Sequence, residues 1–150
     1  MTHNRIFFYI SLLSFFSSLY LLITGSSLLT YTLDKDGSIP LGTFITWGGI
    51  ISLPLTLYLG LKKLQKPIIR LHYYLSILLK VTILLSFLWA PISYLLAGNI
   101  SFSFTEKETF KGGQLAMEIF WNFTYLLPIL SILLLITYFV HHCSYKSKRK

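Results

Sequence analysis

IIRLHYYLSILLKVTILLSFLWAPISYLLA, residues 68–97, decides the fold. No carboxylate interrupts it, and beyond its first few residues Lys80 is its only charge. A helix needs roughly 20 apolar residues to cross a hydrocarbon core about 30 Å thick. This stretch is longer than that. Working outward, residues 41–61, 6–33 and 115–140 repeat the pattern, each exceeding the roughly 18 residues that mark a bilayer-spanning helix. The expected fold is an all-α membrane protein. It is an antiparallel four-helix transmembrane bundle in a single domain covering 1–150.

Composition agrees. The chain is 54% hydrophobic and only 12% charged, with a mean hydropathy of +0.66. A soluble domain of this length needs far more charge to cover its surface. Residues 6–33 begin after Arg5, as a signal peptide would, but the apolar run outlasts the roughly 7–15 residues of a signal core. It is therefore expected to be a retained span. Cys143 is the single cysteine, so neither an internal disulfide nor dithiol redox chemistry is expected.

The charges sort by side. Arg5, Lys62, Lys63, Lys66, Arg70, Lys146, Lys148, Arg149 and Lys150 flank one set of helix ends. The other set carries Lys35, Lys107, Lys111 and all 5 acidic residues: Asp34, Asp36, Glu106, Glu108 and Glu118. Basic connections stay in the cytoplasm, so both termini are expected inside, with an even number of spans. The net charge of +8 then reads as orientation and contact with anionic lipid rather than nucleic-acid binding. Trp47, Trp89 and Trp121 fall near the outer ends of their spans, and Tyr58, Tyr73, Tyr74 and Tyr138 toward the inner ends. That placement predicts interfacial aromatic belts, with packing of the tryptophans inside the bundle as the other reading.

Small residues mark a packing seam. Ser11, Ser14, Ser18 and Gly25 recur along the first span, and Gly49, Ser52, Thr56 and Gly60 along the second. Such spacing lets helix backbones approach, so these two spans are expected to meet there. Pro54, Pro91 and Pro128 inside spans each remove a backbone donor and favour bends. Pro67 suits the first turn of the third span.

The outer connections are the least ordinary part. Around Asp34-Lys35-Asp36-Gly37 the first reads as a tight turn. In the second, Ile100, Phe102 and Phe104 alternate with Ser101, Ser103 and Thr105, a strand pattern. A short strand or hairpin is expected there, paired with the first loop, lying on headgroups or open to a partner strand. Asn99-Ile100-Ser101 is a formal glycosylation sequon.

Few residues invite chemistry. Lys80 lies about 15 Å along its span. An intramembrane charge costs about 2.5–3.5 kcal/mol on insertion scales. It either snorkels along its own stem or points inward toward hydroxyls at similar depth: Ser14, Ser52, Thr56 and Ser131. Glu118 is expected in the first turn of the fourth span, where a carboxylate suits the helix N-terminus. His141, His142 and Cys143 end that span, with His72 and His3 on the same side. Their spacing fits no closed metal site, so interfacial roles are expected instead. Phosphate loops, zinc-protease motifs and nucleophile–base arrangements are absent from the sequence. No enzyme activity, cofactor or metal is expected.

In layout the chain resembles the integral immunity proteins that protect bacteria from pore-forming colicins, those of the colicin A type. The matching features are Lys62-Lys63-Leu64-Gln65-Lys66 after the second span, the basic 146–150 tail, and the polar stretch 102–110 before the fourth. The resemblance implies an inner-membrane protein with both ends cytoplasmic. Its partner would be a membrane-inserting toxin whose apolar helical hairpin it binds laterally. Recognition would fall on Trp47, Trp89 and Trp121, on Asp34 and Asp36, and on Phe102, Phe104, Glu106, Glu108 and Phe110. Two other roles fit the composition: an assembly subunit of a larger membrane complex, or a minimal transporter using Lys80.

Overall fold

A computed structural model describes residues 2–35, 38–102, 104 and 110–147. Five helices follow in chain order: α1 Thr2–Thr24, α2 Leu41–Gly60, α3 Lys62–Gln65, α4 Arg70–Ala97 and α5 Gly113–Ser147. No strand forms among the described residues. Helices α1, α2, α4 and α5 are long and apolar enough to cross a membrane. The short α3 turns the chain between α2 and α4 at the basic end; the connections after α1 and α4 make up the opposite, loop end.

The burial pattern suits an apolar solvent. Ser11, Ser18, Ser52, Ser76, Thr82, Ser86, Ser93 and Ser131 are buried. Ile6, Phe7, Leu13, Phe16, Ile23, Leu84, Leu95, Leu126 and Leu133 are exposed. Water would penalise that much contiguous apolar surface, whereas lipid chains solvate it, and small residues then serve to bring helices close.

The α1–α2 seam forms where small residues predict it. Contacts run in reverse order along the two helices. Ser18 Oγ donates to the Ile45 carbonyl at 2.7 Å, Ser11 Oγ to the Ser52 carbonyl at 2.9 Å, and Thr56 Oγ1 to Ser11 Oγ at 2.8 Å. Gly49 is required here, because a Cβ would collide with the Ser18 side chain. Ser14 lies at the edge of the seam, exposed, with its Oγ 3.9 Å from where a Cβ on Gly48 would stand.

Two clusters of large side chains fill the space among α2, α4 and α5. Leu64, Leu75, Leu79, Leu134 and Tyr138 form one at the basic end. Trp89, Ala97, Phe102, Phe120 and Leu127 form the other at the loop end. Between them the hydroxyls of Thr82, Ser86 and Ser131 donate to carbonyls one turn back in their own helices.

Several boundaries differ from the hydropathy reading. The first span ends at Thr24 rather than Leu33. Gly25 adopts φ +59°, and Ser26 then caps a 3-10 turn by accepting from the Leu28 amide. Hydropathy cannot see that break, because Leu28, Leu29 and Leu33 continue the apolar run. Helix α4 starts at Arg70, with Ile69 as its N-cap, so Pro67 precedes the helix instead of opening it. Helix α5 begins at Gly113, which places the exposed Glu118 beyond its first turn.

Candidate functional site

The loop end is where the sequence places recognition, and it is more solid than its composition implies. Gly98 closes α4 in the left-handed region at φ +74°, its amide bonded to the Tyr94 carbonyl at 2.7 Å. The Asn99 Oδ1 then accepts from the Ser101 amide, the Ser101 hydroxyl and the Phe102 amide, at 3.0, 2.8 and 3.1 Å. This captured turn explains why the expected strand is absent from the described part of the loop. Phe102 sits at φ +47°, and Ser101 and Phe102 are both buried, so the sequence alternation does not become alternation of faces. The side-chain Nδ2 of the sequon asparagine donates instead to the Ala97 carbonyl at 3.4 Å.

Phe102 is driven into the helices. Its ring meets Trp89 edge-on at 5.2 Å and Phe120 at 5.6 Å. Trp89, only 1% exposed, donates its Nε1–H to Thr124 Oγ1 at 2.8 Å. Trp47 packs on this cluster and donates to the Ser86 carbonyl at 3.1 Å. Trp121 stacks on Tyr125 at 5.5 Å and meets Phe120 at 5.1 Å. Phe110 joins through Phe120 at 5.0 Å. The belt reading is therefore corrected for Trp89. Trp89 is a core residue, and Trp47 and Trp121 are half-buried around it. Burial of the indoles is possible because each polar N–H of Trp47 and Trp89 finds an acceptor on a neighbouring helix.

Both loops are anchored over the start of α2. Thr43 Oγ1 donates to the Ile100 carbonyl at 2.7 Å. A Cβ on Gly42 would lie 2.6 Å from the Leu29 carbonyl oxygen and 2.8 Å from the Phe104 ring. So both loops close on the first turn of α2, with no strand pairing between them among the described residues. The Lys111 amide closes the second loop on the Ala97 carbonyl at 3.1 Å.

The first loop closes on itself. Thr32 and Pro40 form an isolated antiparallel bridge, and the Leu33 amide bonds the Ile39 carbonyl at 2.9 Å. Asp34 accepts from the Ser38 hydroxyl, from the Ser38 amide at 3.0 Å and from the Ile39 amide at 2.8 Å. The Ser38 hydroxyl, helped by those amides against partial desolvation, holds its carboxyl below the usual carboxylate range. Asp34 thus has a structural task that the sequence did not separate from recognition. Asp36, Glu106 and Glu108 lie outside the described residues.

The inward hydroxyl cage for Lys80 does not form. Lys80 is exposed on the outer surface of the helices, with Nζ 5.9 Å from the centroid of the Tyr58 ring. The Ser52 hydroxyl donates to the Gly49 carbonyl within α2, Thr56 is engaged at the α1 seam, Ser131 bonds within α5, and Ser14 is exposed. The Lys80 ammonium thus lies over an aromatic face within cation–π range.

Sequence reasoning missed Phe120, Thr124, Thr43 and Asn99. Phe120 and Thr124 are spaced i, i+4, a usable signal of one helix face. Asn99 directly after a helix-ending glycine is a turn signal. Nothing in the sequence marked Thr43. Among the described residues, no group of three His, Cys, Asp or Glu side chains is placed to hold a metal ion.

These features define a class: an all-helical protein with four potential membrane spans and an aromatic core that fastens its loops at one end. Comparison with protein-family models, curated proteins and solved structures found no match.

Proposed function

We propose that the chain is an integral membrane binding protein that acts by contact in the membrane plane. In this reading the four long helices form an antiparallel bundle in a bacterial inner membrane. The basic end and both termini are cytoplasmic, and the loop end faces outward. The specific role we infer is immunity to a pore-forming toxin, by lateral capture of its apolar hairpin before the pore opens.

One observation carries the reading: the outward loops are fastened to the helices by Phe102, Thr43, Asn99 and Asp34. Loops held in one shape lose little freedom on binding, which favours association. The half-buried Trp47 and Trp121 and the exposed Tyr125 add aromatic surface at the same end, the residue types on which binding energy concentrates.

The test must separate recognition from stability, because replacing the whole second loop would remove the buried Phe102. Residues 105–109 are replaced by Gly/Ser, keeping Asn99, Phe102 and Phe110. Cells expressing either form are challenged with a panel of pore-forming colicins, and potassium efflux is followed. Protection by the native chain against one toxin, lost in the variant with membrane insertion unchanged, is the expected result. Lack of protection across the panel, with a respiratory or secretion subunit co-purifying instead, would replace immunity with an assembly role.

A further inference from the structure

The basic end holds a cavity that the reading above leaves unused. It encloses about 240 Å³ and is lined by Lys63, Lys66, Ile68, His72, His141 and His142. Three elements build it: α3 and the turn after it, the start of α4, and the end of α5. Its formal charges are all of one sign. Lysine ammonium groups only donate, and all 5 carboxylates of the chain belong to the opposite end by sequence.

The details favour an acceptor-rich anion. Lys63 Nζ lies 3.2 Å from His142 Nδ1. An ammonium cannot accept, so this nitrogen accepts and the His142 ring carries its proton on Nε2. Lys63 keeps two further N–H groups for a ligand. His72 is 4% exposed, and its Nε2 has no hydrogen-bond partner among the described residues. A buried ring nitrogen with no partner normally indicates a missing one. The wall also includes Ile69, the N-cap of α4, which supplies no side-chain cap to that helix. Uncapped helix N-termini favour anions through their free amides and dipole.

The remaining wall identifies the source of the anion. Ile68 is 97% exposed directly beside these cations. A soluble anion gives no reason for a bare isoleucine at the rim, whereas a glycerophospholipid brings a phosphate and an acyl chain together. We propose that this cavity is a binding site for the phosphate of an anionic phospholipid. Lys63, Lys66 and His72 hold the headgroup, and Ile68 meets the glycerol and first methylenes. The site needs only that the helices cross a bilayer; it does not depend on which protein the loop end meets.

The test uses the full chain purified in detergent and reconstituted in nanodiscs of phosphatidylcholine with a minor share of phosphatidylglycerol. Lipids retained after transfer to detergent are counted by native mass spectrometry. Enrichment of phosphatidylglycerol is expected in the native chain. Each lysine near an anionic lipid contributes about fivefold in affinity, so Lys63→Ala with Lys66→Ala should lower retention about 20–30-fold. Arg5→Ala with Lys62→Ala removes equal charge from the same end but outside this cavity, and should lower retention clearly less. Equal loss in both pairs would overturn a built site in favour of diffuse surface charge. Inorganic phosphate is the second arm. If it binds the native chain while phosphatidylglycerol is not retained, the lipid assignment fails. Should the double variant lose its helical circular dichroism, Lys63→Gln alone decides, with about fivefold weaker retention expected.

Discussion

Trp89→Ala should be among the most damaging single changes available in this chain. The indole is 1% exposed, and its ring lies 5.2 Å from Phe102 and 5.9 Å from Phe120. Truncating a fully buried tryptophan removes its packing and leaves a cavity, about 3–5 kcal/mol. The lost hydrogen bond to Thr124 is the smaller part, about 0.6 kcal/mol for a typical bond between membrane helices. Thr124 itself stays satisfied, because its hydroxyl also donates to the Phe120 carbonyl at 2.7 Å. Trp89→Phe keeps most of the volume and should lose about 1 kcal/mol. Trp121→Ala removes a half-buried ring stacked on Tyr125 and should also lose only about 1 kcal/mol. The assay is reversible unfolding in mixed micelles followed by circular dichroism, paired with protease nicking of the 98–112 loop. Trp89→Ala should expose that loop, since Phe102 loses the wall it packs on. If Trp89→Ala and Trp121→Ala weaken the fold equally, or neither does, both indoles are headgroup residues and the aromatic anchor is refuted.

Two further outcomes follow from the geometry. Gly49→Val should loosen the α1–α2 seam by about 1–3 kcal/mol of overpacking, because Ser18 is held to the Ile45 carbonyl and cannot retreat; disulfide trapping between cysteines placed at 8 and 60 would fall, and unchanged trapping would refute the seam. Asp34 has a depressed pKa, so its share of loop stability is complete above the ordinary carboxylate pKa and disappears as pH falls through its lower folded value. Protection factors at the Ser38 and Ile39 amides, with the intrinsic pH dependence of exchange divided out, should therefore fall on acidification, and Asp34→Asn should flatten that dependence; identical protection-factor profiles for the two chains would show that the carboxylate does not close the loop.

Hydropathy placed four long helices, small-residue spacing placed the α1–α2 seam, and charge distribution separated the basic end from the acidic one. These are properties of local composition and helical period, so they survive without knowledge of neighbours: a 20-residue apolar run has few ways to satisfy its backbone in lipid other than as a helix. Tertiary structure alone decided the rest. The run 6–33 stops at Gly25 because a backbone torsion, invisible to hydropathy, turns the chain. Ile100–Phe104 alternation yields to the Asn99 turn because side-chain acceptors outcompete a strand that has no partner. Trp89 moves from the expected belt to the core because Thr124, on another helix, accepts its indole proton. Lys80 stays outside because Ser52, Thr56 and Ser131 at its depth already have partners and Ser14 is exposed. Each of these outcomes depends on which groups meet across helices, and no single stretch of sequence carries that information.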